Sequence, residues 1–141
     1  MAALSKIVFM RTVDSFRHRL AVLGGISQTE LRALGRIGES PQITPKQLAE
    51  AIELTTGSVT ALLDHLEGLG WVRRLPNPED RRSVLVELTP AGGKRMRAAY
   101  TLFQERFVAA VRAVPAEQLG TVTDFLDRVA RELESDVDWQ S

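Results

Sequence analysis

Along the first segment the apolar positions Phe9, Val13, Phe16, Leu20 and Leu23 recur four, three, four and three residues apart. This is the spacing of a helical seam, and Gly24-Gly25 supplies its stop. Ser27 to Glu30 reads SQTE, a capping box that opens a second helix with Leu31, Leu34 and Ile37 inward. TPKQ predicts a third, short helix, with Thr44 as N-cap, Pro45 at the first helical position and Gln47 at the third. It should bury Leu48, Ala49 and Ile52. After a turn around Glu53 and Leu54, Thr55 caps a fourth helix whose inward stripe is Val59, Leu62, Leu66 and Leu69. Gly70 then stands where a helix ends in a left-handed residue.

There the pattern changes. Trp71–Leu75 and Ser83–Leu88 read as two strands, joined by a loop of turn formers from Pro76 to Arg82. Thr89-Pro90 is another cap and first-turn pair. It starts a long helix with the seam Met96, Tyr100, Phe103, Phe107, Ala110 and Val114, interrupted at Pro115. A last helix carries Leu119, Val122, Leu126, Val129, Leu133 and Val137, with acids on its other face. Two helices joined by a tight turn and followed directly by a strand form a helix-turn-helix arrangement. The predicted architecture is mainly α, one continuous domain in which residues 27–89 form the helix-turn-helix with its hairpin. Residues 1–26 and 90–141 form a helical region. The terminal seams have no evident partner within one small lobe, so they are expected to pack together and across a dimer.

Composition narrows the class. The chain has 141 residues, 44% of them hydrophobic, and no cysteine. Disorder, disulfides, thiol chemistry and cysteine-based zinc sites are thereby set aside. No apolar run approaches the roughly 20 residues that span a bilayer, and the apolar start is broken by Arg11 and Asp14. No signal peptide is read there, and a soluble, cytoplasmic protein without membrane contact is expected. Net charge is zero, but residues 71–97 hold seven basic side chains against three acidic ones, whereas residues 117–138 hold seven acids against two arginines. A neutral total of this kind can still offer a strongly positive face.

The positive stretch sits where nucleic acid would be read. A helix fits the major groove, and its N-terminal residues reach base edges. On the fourth helix Thr56, Ser58, Thr60 and His65 fall on the outward face with Gly57, Ala61, Asp64 and Gly68. Small hydroxyls there suit bases or phosphates, and the helix dipole favours phosphate. No arginine or lysine shares that face, so the helix alone is also consistent with plain capping and solvation. The hairpin carries more: Arg81 and Arg82 stand at its tip, and a protruding arginine can enter a narrow minor groove. Asp80 is placed to pair with a neighbouring arginine and hold the tip, and Arg73 and Arg74 begin the ribbon at phosphate height.

The stretch DRRSVLVELT fits D-x-R-x-x-x-x-x-L-T, with Asp80, Arg82, Leu88 and Thr89 in register. That pattern resembles the wing signature of the MarR family of winged helix-turn-helix transcriptional regulators, and LAEAIELTTGSVTALLDHLEGLGWVRR resembles the same family's helix-turn-helix and first wing strand. The specific match covers Leu48 to Gly92. The resemblance implies a homodimer clasped by the terminal helices, acting on double-stranded DNA at a pseudo-palindromic operator. Each recognition helix would lie in a major groove, and each wing would place Arg82, braced by Asp80, in a minor groove. It further implies a repressor relieved by a small aromatic or phenolic effector. Phe9, Phe16, Trp71, Tyr100 and Phe103 could line the effector cleft, although aromatics at helical spacing more often form core, so no effector residue is assigned. Ala61 stands where this family often carries a basic residue, which implies that base specificity is modest or rests on other groups. The family's cysteine-based peroxide sensors are excluded by composition.

Two rival classes compete with this reading. His18 and His65 lie on different predicted helices with no carboxylate motif beside them, and no phosphate loop, nucleophile elbow or H-E-x-x-H occurs. An enzyme, a metal site or a bound cofactor is therefore not expected. A winged helix used only for protein interaction or dimerisation is the second rival. Salt separates it from the first reading, because phosphate binding weakens steeply with salt and an apolar interface does not.

Overall fold

The computed structural model describes residues 2–40 and 42–134. The side chains of Phe9 and Leu133, and all of Val137, lie outside the described residues. The helices are α1 (Ala2–Gly24), α2 (Gln28–Glu39), α3 (Pro45–Ala51), α4 (Thr56–Gly68), α5 (Pro90–Arg112) and α6 (Leu119–Glu134), with strands β1 (Val72–Pro76) and β2 (Val84–Leu88) between α4 and α5. A single 3-10 turn, Ala116–Gln118, follows Pro115. The chain divides into two compact units, Met1–Tyr100 and Thr101–Ser141.

Caps set the element boundaries of the first unit. Ser27 accepts the Glu30 N–H and Glu30 accepts the Ser27 N–H, and Thr44 and Gln47 do the same for α3. Each box satisfies two donors that the helix itself cannot. α1, α3 and α4 end in the same way. The Gly25 and Gly70 N–H groups reach Val22 and Glu67 carbonyls, and the next N–H groups, of Ile26 and Trp71, reach Ala21 and Leu66. Both glycines have φ of 70°, the left-handed conformation this closure needs. Glu53, at φ 57°, performs the turn between α3 and α4 without a glycine, and the Leu54 N–H closes it on the Ala49 carbonyl.

Among the described residues the core lies in this unit. Ala33, Leu34 and Ile37 of α2, Leu48 and Ala49 of α3, and Val59, Leu62, Leu63 and Leu66 of α4 are buried against Val72 and Val86 of the hairpin. On α1 and at the end of α4, the expected stripe positions Leu23 and Leu69 face outward, 78% and 41% exposed. Each sits at the last residues of its helix, where the chain turns away and the stripe runs past the core. Leu63 takes the place expected of Leu69, widening the stripe to the arc usual for a core-facing helix. Ala21 is likewise buried one turn before α1 ends.

β1 and β2 pair antiparallel in the register Val72↔Leu88, Arg73↔Glu87, Arg74↔Val86, Leu75↔Leu85 and Pro76↔Val84. The Val86 N–H also reaches the Ile43 carbonyl at 2.8 Å, fastening the hairpin to the segment before α3. At the base of the hairpin, one hydroxyl joins three elements. Thr89 Oγ1 donates to the Gly70 carbonyl at 2.6 Å and accepts the Gly92 N–H at 3.1 Å, while the Thr89 N–H reaches the Trp71 carbonyl. A Cβ on Gly92 would stand 2.0 Å from the Trp71 carbonyl oxygen. The ring of Trp71 lies beneath the Arg95 guanidinium at 5.3 Å.

The second unit is different in kind. None of its described side chains is buried, and Phe103, Phe107, Val108, Phe125 and Leu126 are all exposed. Phe103 and Phe107 stack with centroids 6.3 Å apart along α5. No helix among the described residues is long and apolar enough to cross a membrane.

Candidate nucleic-acid interface

α4 presents Thr56, Gly57, Ser58, Thr60, Ala61, Asp64, His65 and Gly68 to solvent. Its first turn is held by Thr55, whose hydroxyl accepts the Ser58 N–H at 3.2 Å and shares a hydrogen bond with Ser58 Oγ at 2.9 Å. Thr60 Oγ1 donates to the Thr56 carbonyl at 3.0 Å, leaving its lone pairs outward. Ser58 and Thr60 are therefore hydroxyls with fixed orientation. The Thr56 hydroxyl has no side-chain bond among the described residues.

His65, expected on the reading face, is engaged from behind. Its Nδ1 meets Glu30 of α2, the same carboxylate that caps its own helix through the Ser27 N–H at 2.7 Å. Burial pushes the Glu30 carboxyl up, but the Ser27 backbone N–H, then His65 and the Ser27 hydroxyl, outweigh it and hold the carboxyl below the usual range. His65 thus ties α4 to α2. Its position on the outer face of α4 was correct; a partner thirty-five residues away could not be read from local spacing.

The four wing arginines divide by strand geometry. Alternate residues of a strand point to opposite faces. Arg74 shares the face of buried Val72, so its side chain is turned toward α4, where it meets Asp64 at 2.7 Å, Glu67, and the Thr60 carbonyl at 3.5 Å. Burial works against its charge, yet Asp64 and Glu67 more than offset that and raise its pKa further. Arg73 points the other way and pairs with Glu87 directly across the ladder. Neither guanidinium stands free at phosphate height, as the sequence had suggested, because each meets a carboxylate of its own chain. The alternation that separates them was already visible in the sequence.

The tip holds the remaining pair. Arg81 and Arg82 are exposed, and neither side chain makes an ion pair among the described residues. Asp80 does brace the loop, though through the backbone: its Oδ1 accepts the Arg82 N–H at 2.9 Å, and its carbonyl accepts the Ser83 N–H at 3.0 Å. Asn77 adds a second tie, donating from Nδ2 to Ser83 Oγ at 2.7 Å and accepting the Glu79 N–H at 3.0 Å. An aspartate two residues before an amide it can reach forms such a turn with no guanidinium involved. The arginines remain available while the backbone beneath them is fixed.

Among the described residues no cluster of His, Asp and Glu could hold a metal ion. Of the aromatics considered for an effector cleft, Trp71 is core, Tyr100 and Phe103 are about half exposed, and Phe16 is partly buried beneath Arg19.

Comparison with known proteins converges on one group. The model of the MarR family matches residues 26–84, from the end of α1 to the start of β2. The multiple antibiotic resistance protein MarR of Salmonella typhimurium is 33% identical over 109 residues, covering 74% of this chain and 73% of its own. Wild-type MarR from E. coli in its apo form has a TM-score of 0.73 at 29% identity, covering 89% of this chain and 95% of that one. A mutant E. coli MarR complexed with operator DNA gives a TM-score of 0.63 at 28% identity, over 90% and 93% of the two chains.

Proposed function

The chain belongs to the MarR family, and from that premise we propose that it acts as a homodimeric repressor whose two wings and two recognition helices grip one pseudo-palindromic operator. It is a sequence-specific DNA-binding transcriptional regulator and not an enzyme. In this reading Thr56, Ser58 and Thr60 face the major groove, and Arg82, with Arg81 beside it, enters the flanking minor groove.

The observation that carries the reading is the wing tip, where two exposed arginines stand on a loop braced by Asp80 and Asn77. With the loop backbone already fixed, only the arginine side chains need ordering on entering a groove, and the electrostatic focusing of a narrow minor groove favours them. Dimerisation rests on the second unit, whose described apolar side chains find no burial within one chain. Several large exposed apolar side chains of that kind are a mark of an interface. A small aromatic or phenolic effector that releases the DNA completes the proposal. Titrating phenolic compounds into a preformed complex tests that part, and release without loss of the fold is the expected outcome.

The binding itself is tested by fluorescence anisotropy on duplex DNA over a range of salt. Phosphate contacts displace counterions, so affinity should fall linearly on a log–log plot, with a slope of about −0.9 per phosphate neutralised. Salt-insensitive behaviour would favour a winged helix used only as an interaction module.

A further inference from the structure

We propose that Arg74 is a positioning residue that sets the wing against the recognition helix and makes no contact with DNA itself. The inference deepens the DNA-binding reading and rests on it. Its starting point is a stripe: Thr60, Asp64 and Glu67 are spaced four and three apart on α4, and so share one helix face. Arg74 lies along that stripe. Its guanidinium takes Asp64 at 2.7 Å, Glu67, and the Thr60 carbonyl at 3.5 Å, and its backbone N–H donates to the other Glu67 oxygen at 3.1 Å. Main chain and side chain of one strand residue are thus both tied to the reading helix.

Three consequences follow from this geometry. The side chain of Arg74 is only 24% exposed, whereas that of Arg73 is 58% exposed, so the less exposed of the two is the one that meets α4. β1 is fixed to α4, β2 is fixed to β1 by the ladder, and the tip carrying Arg81 and Arg82 therefore stands at a set distance from Thr56, Ser58 and Thr60. Two carboxylates on a helix that approaches phosphates would repel them, and Arg74, pairing with both, offsets one of the two charges. Arginine suits this place because its planar fork can engage two carboxylates and a carbonyl together, which a lysine ammonium cannot match.

The test compares the parent protein with Arg74→Met and with the double variant Asp64→Asn/Glu67→Gln, using anisotropy on a duplex that the parent binds. The carboxamide variant gives a sign that a simple charge effect cannot imitate. Removing two negative charges near DNA, with no other role for them, would tighten binding. A positioning role predicts that binding weakens instead, by about tenfold or more, since both charge-assisted ties of Arg74 are weakened. Arg74→Met should weaken binding by a similar factor while the salt slope stays that of the parent. Amide hydrogen exchange of residues 72–75 in the DNA-free proteins should be faster in both variants, which reads the clamp without any DNA. A salt slope smaller by about 0.9 for Arg74→Met would identify a phosphate contact and overturn the proposal. Carboxamide binding as tight as the parent's or tighter would overturn it equally. If the parent binds no duplex, the DNA reading fails, while exchange still decides whether the clamp exists.

Discussion

Arginines at neighbouring positions in this hairpin have different fates, and backbone geometry decides which. Arg81 and Arg82 sit on a turn whose amides are satisfied by Asp80, while Arg73 and Arg74 sit on a strand whose alternation delivers them to Glu87 and to α4. Replacing Arg82 by alanine should therefore weaken operator binding by about 1–3 kcal/mol with no change in thermal stability. Anisotropy and a melting curve on the same variant check both halves, and unchanged affinity would remove the wing from the mechanism. Gly92 makes the opposite kind of prediction. A methyl group there would collide with the Trp71 carbonyl, and backbone cannot yield as a side chain can. Gly92→Ala should cost about 1–3 kcal/mol of folding stability, read as a lower denaturation midpoint. The tip arginines and Asp80 were legible in the sequence because their chemistry is local. The requirement for glycine at position 92 was not, since it depends on a carbonyl brought close only by the fold.

Among the elements, the helices were legible where they start and stop. The capping boxes at Ser27 and Thr44 and the left-handed Gly70 occur where the sequence placed them. A capping box is encoded within four residues, so no tertiary information is needed to find it. What lay beyond local reading was which side chains link one helix to another, as the Glu30–His65 tie between α2 and α4 illustrates. That tie carries a pH prediction. The carboxyl of Glu30 is held below its ordinary value in the folded chain, so the unfolded chain binds the proton more readily. Its contribution is present in full above the ordinary carboxylate pKa of about 4.3. It is lost as pH falls through the lower folded value. Glu30→Gln should therefore lower stability at neutral pH and flatten the acid limb of the stability curve. Chemical denaturation of both proteins from neutral pH to below 4 would show this, and parallel acid limbs would refute it. Leu63 and Leu69 teach a related lesson: the period predicted a stripe, but the end of the helix determined where burial stops.

At the scale of the molecule, the sequence indicated long apolar seams at both ends, and the structure shows that those described in the second unit are not buried by one chain. Chain pattern reveals that a face must be covered; it does not reveal what covers it. A second copy predicts a melting temperature that rises with protein concentration. It also predicts that Phe125→Asp, at a position 63% exposed in the single chain, shifts sedimentation toward the monomer. A monomeric parent at micromolar concentration would contradict this. A dimer would also dictate the operator, because a two-fold protein reads a two-fold site. The most direct test of the whole account is selection of duplex DNA from a random pool, followed by anisotropy on the enriched sequence at two salt concentrations. The account predicts an inverted repeat with half-sites about one helical turn, roughly 34–36 Å, apart, and binding that weakens as salt rises. Failure to enrich any sequence, enrichment of a site without a dyad, or binding indifferent to salt would contradict it.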